Sequence, residues 1–277
     1  MDNDLLSNEP AIRLTFFFSI FLLMALWEAV APRRSQQIPR RIRWPNNLGI
    51  VALNIILLRL VIPATAISVA QMADTAGWGL LHHLALPVWL AFPLAILLLD
   101  LAIYLQHVMF HAVPALWRLH RVHHADLEFD VTTGARFHPV EIIASMVIKL
   151  MVIAALGPSA IAVLFFEVLL NGLAMFNHGN IRLPLTIDRR LRKIIVTPDM
   201  HRVHHSVIPE EANSNFGFNL ALWDRWLGTY RAQPAHGHLD MVIGINKFRT
   251  TRDLGIDRML MQPFRGAPDS YPINREK

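Results

Sequence analysis

The sequence of 277 residues contains no cysteine. That absence excludes disulfide bonds, thiolate-ligated metal sites and iron–sulfur clusters, because all of them require cysteine sulfur. Any metal ion bound by this chain must therefore take nitrogen or oxygen ligands. The chain also lacks a GxGxxG string for a flavin or nicotinamide and an HPGG-like string for haem. These absences indicate that no electron carrier is built into the chain.

Charged residues are also scarce: they make up 17% of the chain against 53% hydrophobic residues, and the mean hydropathy is +0.36. The apolar residues are concentrated in blocks, and those at 11–31, 48–71 and 88–106 are each about long enough to cross a bilayer. A fourth block at 140–176 is interrupted at "LGPSA", which predicts a hairpin of two shorter helices. Acidic rather than basic residues precede the first block, so we expect a retained helix and not a cleaved signal peptide. The sequence therefore predicts an all-α, polytopic membrane protein with about four or five transmembrane helices.

Charge asymmetry predicts the orientation of these helices. The loop at 32–47 contains five arginines and no acidic residue, which places it on the cytoplasmic side. Counting spans from this loop places residues 107–139 and the chain after 178 on the same side, as a cytoplasmic helical cap. We expect a plasma, inner or endoplasmic reticulum membrane. The net charge of +5 fits this orientation and contact with anionic lipid, so we expect no nucleic-acid partner.

Histidines are the residues that carry chemistry. Ten of the 14 histidines lie between residues 107 and 205, and the string HRVHH occurs twice, at 120–124 and 201–205. Histidines spaced i, i+3 and i+4 share one face of a helix, so each copy can offer three imidazoles to one side. We therefore expect a shared metal centre where the membrane helices enter the cytoplasm. The candidate ligands are His107, His111, His120, His123, His124, His138, His178, His201, His204 and His205.

The number of imidazoles favours two ions, because zinc sites usually close at four ligands. Imidazole suits iron, zinc, copper or nickel, so the ligands alone leave the metal open. His82 and His83 fall on the opposite side of the membrane and are excluded. We expect His236 and His238 to be surface residues.

Polar groups inside the apolar blocks are candidate catalytic residues that support the ligands, because such groups are costly in a membrane. Asp100 precedes His107 by two helical turns, and Glu167 and Asn171 precede His178 on nearly one helix face. A helix-packing role for Glu167 remains equally open. Asp199, Asp224 and Glu141 are further candidates for hydrogen bonds to imidazole or for helix capping, and capping or solvation is favoured for Asp224. Arg59 and Lys149 either extend to the membrane surface or contact a lipid headgroup.

Several strings together resemble the fatty acid hydroxylase/sterol desaturase superfamily of membrane non-haem di-iron enzymes. They are "DLAIYLQHVMFH" (100–111), "LWRLHRVHHAD" (116–126), "RFHPVE" (136–141), "FNHGNI" (176–181), "VTPDMHRVHHS" (196–206) and "NSNFGFNLALWDRWLGTY" (213–230). The resemblance implies a catalytic domain at about 95–230, after an N-terminal transmembrane region at 1–94 and before a cytoplasmic tail at 231–277. It also implies that nine of the histidines are ligands, with His138 as a tenth ligand or a residue beside one.

The activity that this resemblance implies is O2-dependent hydroxylation or desaturation of a lipid by two iron ions, with zinc possible in a purified or hydrolytic form. Electrons would come from a separate NAD(P)H-linked partner such as a ferredoxin or a cytochrome b5 system. Two alternatives remain open: a zinc-dependent membrane hydrolase, and a membrane protein that binds metal or haem without catalysis. The lipid, the choice between hydroxylation and desaturation, and the oligomeric state remain open.

Overall fold

A computed structural model describes residues 2–267 and 270–273. Residues 1, 268–269 and 274–277, at the ends of the predicted regions 1–94 and 231–277, lie outside this description. Within the described ranges the regular structure is helical, with isolated β-bridges and no strand. The α-helices are α1 (Asp2–Ser7), α2 (Glu9–Val30), α3 (Arg40–Val61), α4 (Ala66–Ala76), α5 (Leu80–His83), α6 (Val88–Ala112), α7 (Pro114–His124), α8 (Pro139–Leu156), α9 (Ala160–Asn177), α10 (Leu185–Leu191), α11 (Pro198–His204), α12 (Pro209–Ala212), α13 (Leu222–Trp226), α14 (Gly237–Asp240) and α15 (Ile256–Met261). Short 3₁₀ helices occupy Thr133–Ala135, Thr251–Leu254 and Gln262–Phe264. The predicted all-α fold is confirmed.

Five helical stretches are long and apolar enough to cross a membrane. They are α2, the stretch Arg40–His83, α6, α8 and α9. Helices α8 and α9 form the predicted hairpin, joined by a turn at Gly157, whose left-handed backbone (φ 61°) ends α8. The number of spans and the hairpin agree with the sequence prediction, and the protein is an integral membrane protein.

The second apolar block is not one continuous span, which corrects the prediction for 48–71. Helix α3 ends at Val61, and Ile62 is extended at φ −126° and ψ 93°. Pro63 explains the break, because proline has no N–H and disfavours helical geometry in the residue before it. Thr65 then begins α4 with a capping box to Ser68. The helix is therefore interrupted inside the apolar block, and the chain continues as a separate helix.

The membrane helices pack around a common apolar core. Helix α4 lies against both α8 and α9, α3 packs on α8, and α2 packs on α9. Two glycines permit one close approach between turns: a Cβ on Gly79 (φ +99°) would lie 2.3 Å from the backbone nitrogen of Gly157. Only glycine fits at such a position. The turn before α5 is thereby held against the α8–α9 turn.

The basic segment after α2 is partly helical, which corrects its prediction as a loop over 32–47. Helix α3 begins at Arg40, and the buried Arg43 lies in its first turn. Arg43 donates hydrogen bonds to both oxygens of Asp126, at 2.8 and 2.7 Å, and to Asp130. A membrane helix is thus tied directly to the segment that follows the first HRVHH string.

The C-terminal residues fold back onto the histidine-bearing helices. Tyr271 stacks on Trp117 of α7 with ring centroids 5.3 Å apart. The buried Arg121 donates to the carbonyl of Gln262, and the backbone nitrogen of Ile273 donates to the carbonyl of His111 at 3.0 Å. The described part of the predicted tail therefore belongs to the cap.

Candidate metal centre

Nine histidines converge in two buried groups. In each group the candidate ligand atoms lie within 4.8 Å of one another. The first group contains His107, His111, His120, His124 and His204, and the second contains His123, His178, His201 and His205. These imidazoles come from the end of α6, from α7, from the residue after α9, and from α11 with the residue after it. The two HRVHH strings contribute to both groups, so neither string forms a site alone.

Hydrogen bonds fix the protonation of five of the rings. A carbonyl, amide or carboxylate oxygen can only accept, so the ring nitrogen facing it must carry the proton. Nδ1 of His107 donates to Phe216 O at 2.7 Å, that of His111 to Asn213 Oδ1 at 3.1 Å, and that of His120 to Glu141 Oε1 at 2.6 Å. Nδ1 of His178 donates to Ala174 O at 2.8 Å, and that of His204 to Ser214 O at 2.8 Å. In each ring the lone pair is consequently on Nε2, the atom that points into the group.

Facing lone pairs are the strongest sign of a cation site. His107 Nε2 lies 3.1 Å from His120 Nε2 and 3.1 Å from His204 Nε2. All three rings carry their proton on Nδ1, so these close contacts cannot be hydrogen bonds between neutral imidazoles. A shared metal ion would turn the repulsion of the lone pairs into coordination.

Burial keeps the imidazoles neutral, which is the form that binds a metal. Burial lowers the pKa of His120 and of His178 to about 3. The pKa values of His123, His204 and His205 lie well below the ordinary range, first because of burial and then because neighbouring imidazoles repel a positive charge. The donor set thus fits borderline ions such as iron and zinc.

His205, in the second histidine group, gives a further indication that these residues fit a metal ion. Both of its ring nitrogens are buried and have no hydrogen-bond partner among the described residues. An unsatisfied buried polar atom is costly, and a native structure usually pairs it with something. His205 stacks near His124 and lies edge-on to His123, with centroids 4.6 Å away in both cases. Its free nitrogens therefore border both groups and fit metal ligation.

His138 stands apart from the nine. Its Nδ1 accepts a hydrogen bond from the backbone nitrogen of Val140 at 3.2 Å and so caps the start of α8. Its Nε2 lies 3.3 Å from the carbonyl of Leu260. Capping requires a side-chain acceptor at this position, so the local structure gives His138 a role that uses no metal.

Asp100 and Asp224 shape the segment that supports His107. Asp100 accepts from Trp223 Nε1 at 2.8 Å and from the nitrogen of Leu220 at 3.2 Å, so it anchors this segment to α6. Asp224 is fully buried and accepts from the nitrogens of Phe216 and Gly217 at 2.7 and 2.9 Å. The favoured solvated interpretation of Asp224 is therefore wrong, whereas a capping role agrees with its contacts. Both carboxylates act on the backbone that presents the Phe216 carbonyl.

Glu167 and Asn171 lie in the membrane part of the molecule. Glu167 accepts from Lys149 Nζ at 2.7 Å and forms an ion pair with Arg13 at 3.2 Å. Asn171 donates to the carbonyl of Glu167 at 2.8 Å. The structure therefore places this pair within the helix bundle, in contact with cations and backbone.

The remaining candidates differ in position. Among the carboxylates named as further candidates, Glu141 contacts a candidate ligand, His120. Asp199 instead pairs with Arg33 at 3.1 Å and with the buried Arg202. His238 is buried, 3.7 Å from Asp199, so its prediction as a surface residue is wrong. Burial first of all lowers its pKa to about 4.

Sequence reasoning missed three residues that orient the candidate ligands. They are Asn213, Ser214 and Phe216, from the stretch "NSNFGF". Two of them act through backbone carbonyls, which leave no trace in residue identity. Asn213 is the one of the three that acts through its side chain, so its residue type and its position shortly after the second HRVHH string could have suggested a role beside the histidines.

A cavity of about 330 Å³ extends from the first histidine group into the membrane helices. His107 and His120 border it together with Phe110 and Phe218, and most of the remaining wall is apolar. Ile55 of α3 lines the cavity and is 58% exposed, so the cavity reaches the outer surface of the bundle at α3. Its wall contains residues of α2, α3, α6, α8 and α9.

Comparison with known proteins identifies the family. Residues 92–229 match the fatty acid hydroxylase family model. The chain is 29% identical to an ornithine lipid hydroxylase of Rhizobium tropici, over 54% of the chain and 44% of that protein. It is 31% identical to an alkylglycerol monooxygenase of Danio rerio (55% of the chain, 34% of that protein) and 26% identical to the human cholesterol 25-hydroxylase (55% and 52%).

The chain thus spans about half or less of the length of these curated relatives. No solved structure matches it significantly. The matched region contains all nine converging histidines and begins within α6. On this match, and on the histidine groups that lie inside it, the chain belongs to the fatty acid hydroxylase family.

Proposed function

We propose that the protein is an O2-dependent lipid hydroxylase that inserts oxygen at a C–H bond. The observation that carries the proposal is the apolar cavity, which begins among the membrane helices and ends at His107 and His120. Such a cavity suits an alkyl or sterol-like chain whose reacting carbon stops beside the metal centre. The similar proteins are named for hydroxylation of lipids, which favours hydroxylation over desaturation.

The proposed cofactor is a pair of iron ions, one for each group of imidazoles. Iron would supply the activation of O2 that the attack on an unactivated C–H bond requires. The nine ligands would be His107, His111, His120, His123, His124, His178, His201, His204 and His205. Zinc would fit the same donors but cannot supply electrons, so it is the metal of an inactive form in this proposal.

Residues of this chain would orient the metal ligands and exclude water from the site. Glu141 keeps the proton of His120 on Nδ1, and Phe216 O does the same for His107. The Phe218 ring, 5.1 Å from that of His107, closes the cavity wall beside the first group and helps to exclude water. Since the first group alone among the described histidine groups borders the cavity, we place the substrate carbon next to it.

Electrons must arrive from a separate carrier in this proposal, because the sequence contains no recognisable carrier motif. The arginine-rich segment at 32–47 supports a cytoplasmic position for the cap, where a ferredoxin or cytochrome b5 type of donor would be available. The lipid would enter sideways from the membrane at Ile55. Substrate and reductant would then reach the metal centre from different directions.

The test is lipid mass spectrometry of cells that express the wild type, His204→Ala or the control His83→Ala. His204 belongs to the first histidine group, whereas His83 is exposed and outside both groups. We expect a lipid that gains one oxygen, labelled from isotopic O2, with the wild type and the control only. Metal analysis of the purified protein should find iron in the active form.

Three outcomes would contradict the proposal. Turnover without O2 by a protein that contains only zinc would indicate the hydrolase alternative. Loss of two hydrogens without added oxygen would indicate a desaturase. An unchanged lipid profile with an intact metal content would favour a metal-binding protein without this activity.

A further inference from the structure

One helix of the cavity wall carries a polar stripe. Glu141, Ser145 and Lys149 are spaced four residues apart on α8, and all three line the cavity. Residues at this spacing lie on one helix face, and eight residues correspond to a rise of about 12 Å. The stripe therefore begins at the carboxylate that contacts His120 and ends at an ammonium group about two turns deeper in the membrane.

The ammonium group belongs to a balanced chain of charges. Lys149 Nζ lies 2.7 Å from Glu167 Oε1, Arg13 lies 3.2 Å from the other oxygen of Glu167, and Glu9 lies 3.5 Å from Arg13. Two carboxylates and two cations cancel, so the wall carries no net charge at this depth. Arg13 already neutralises Glu167 in part, so charge balance alone does not explain why a lysine faces the cavity.

Lys149 retains capacity to donate hydrogen bonds. An ammonium has three N–H donors, and the bond to Glu167 uses one of them. Asn171 and Gln106 line the same cavity and donate to Glu167 O and Ser145 Oγ, at 2.8 and 3.0 Å. Each of these bonds uses one of the two amide hydrogens, and the polar groups form one patch in an otherwise apolar wall. An apolar tail gains nothing from such a patch, whereas a lipid oxygen would accept from it.

We propose that Lys149 determines substrate specificity by donating a hydrogen bond to a neutral oxygen of the lipid, a hydroxyl or an ester carbonyl. This inference rests on the proposed function, because it assigns the reacting carbon to the histidine end of the cavity. A neutral acceptor is favoured because a carboxylate would leave an unbalanced negative charge within the membrane. The substrate is then a lipid whose oxygen function is separated from the carbon that reacts by roughly the two helical turns between Glu141 and Lys149.

The experiment measures binding without turnover. Purified full-length protein in detergent, loaded with iron and kept free of O2 and reductant, is titrated with hexadecane, hexadecan-1-ol or methyl hexadecanoate. These probes share one chain length and differ in the oxygen function. The rise in melting temperature at matched ligand concentration gives relative affinities, because a ligand that binds only the native state stabilises it by an amount that grows with the logarithm of the ratio of ligand concentration to Kd.

The variants separate binding from stability. Lys149→Met combined with Glu167→Gln removes the pair without leaving an unpaired charge, and Lys149→Arg tests rescue. Arg59→Met is the matched control, since Arg59 is an exposed cation of the membrane helix α3. The ratio of affinities for an oxygen-bearing probe and for hexadecane is compared within each variant, so a general loss of stability cancels.

We expect the wild type, the control and Lys149→Arg to prefer one of the oxygen-bearing probes by about tenfold or more, as for a hydrogen bond to a charged donor. The double variant should lose this preference and keep its affinity for hexadecane. Preference for the alcohol or for the ester identifies the oxygen as hydroxyl or carbonyl. No preference in the wild type, or the same preference in the double variant, would overturn the inference even if lipid hydroxylation is established.

Discussion

At the scale of single residues, the site depends on where each imidazole keeps its proton. Acceptors on Nδ1 leave the Nε2 lone pairs pointing at one another, a geometry that only a cation relieves. Most of these acceptors are backbone carbonyls, which cannot be removed by substitution. Glu141 and Asn213 are the side-chain acceptors among them, and Glu141 makes the shorter bond, 2.6 Å from His120 Nδ1, so its role can be tested directly.

We expect Glu141→Ala to lower iron affinity or turnover by about 10- to 100-fold, the usual effect of removing a group that orients a metal ligand. The measurement is the ratio of iron to protein after dialysis, with turnover of the identified lipid. Glu141→Gln should retain part of the iron affinity and turnover, because its amide oxygen can still accept the hydrogen bond from His120. The control is Glu210→Gln, which changes an exposed carboxylate. Equal iron retention by Glu141→Ala and the wild type would contradict this role.

The second prediction at this scale concerns His238, whose pKa burial lowers to about 4, against an ordinary value near 6.5. Between pH 6.5 and 4 the unfolded chain binds the proton and the folded protein does not. Stability is therefore lost as the pH falls through this window and is constant above it. As the pH falls from 7 to 4, we expect the unfolding free energy of His238→Gln to rise by about 1–3 kcal/mol relative to that of the wild type. The melting temperature of the wild type should fall further than that of His238→Gln as the pH is lowered across this range. Parallel profiles of the two proteins would contradict the prediction.

At the scale of elements, buried charges join the membrane helices to the cap. Arg43 at the start of α3 contacts Asp126 and Asp130, and these acids lie directly after α7. Burial alone would raise the pKa of Asp126, but the Arg43 guanidinium holds it well below the ordinary range. The network therefore remains charged at neutral pH and fixes α7 against α3.

We expect Arg43→Met to cost about 3–5 kcal/mol of unfolding free energy, because it leaves two buried carboxylates without their cation. Adding Asp126→Asn should recover part of that loss, which a double-mutant cycle in mixed micelles would measure. The neighbouring Arg41→Met changes an exposed cation and should cost little. A cost for Arg43→Met that is no larger than for Arg41→Met would show that the network contributes nothing to stability.

At the scale of the whole molecule, the cap, the membrane helices and the C-terminal residues all converge on the two histidine groups. Neutral imidazoles whose lone pairs face one another, as at His107, His120 and His204, repel one another without a cation. Metal binding should therefore stabilise the entire fold, because the ligands come from segments far apart in the chain.

We expect a chelator to lower the melting temperature of the wild type and added Fe²⁺ to restore it. His204→Ala should weaken this response, and His83→Ala should preserve it, with metal content measured in parallel. A melting temperature that stays constant while iron is removed would indicate that the histidine groups are already satisfied without a metal.

How much of the structure could be predicted from the sequence depends on how far apart in the chain the interacting residues lie. Local spacing and hydropathy predicted the helical class, the hairpin and the histidine pitch, because these depend on residues a few positions apart. Helix phase also suggested Asp100, but this residue contacts Trp223, which is remote in the chain. The break at Pro63 had a local signal that the apolar block obscured.

Composition and histidine spacing were thus sufficient to predict a membrane protein with a histidine-rich metal site, whereas the family came from the resemblance of its strings to known sequences and from the family match. The division of the nine histidines into groups of five and four was decided only by tertiary packing, as was the separate position of His138. Packing also brought Lys149 to the cavity while leaving Arg59 on the outside of α3. The physical reason is that residue type sets what a side chain can bind, whereas contacts between distant segments set what it meets.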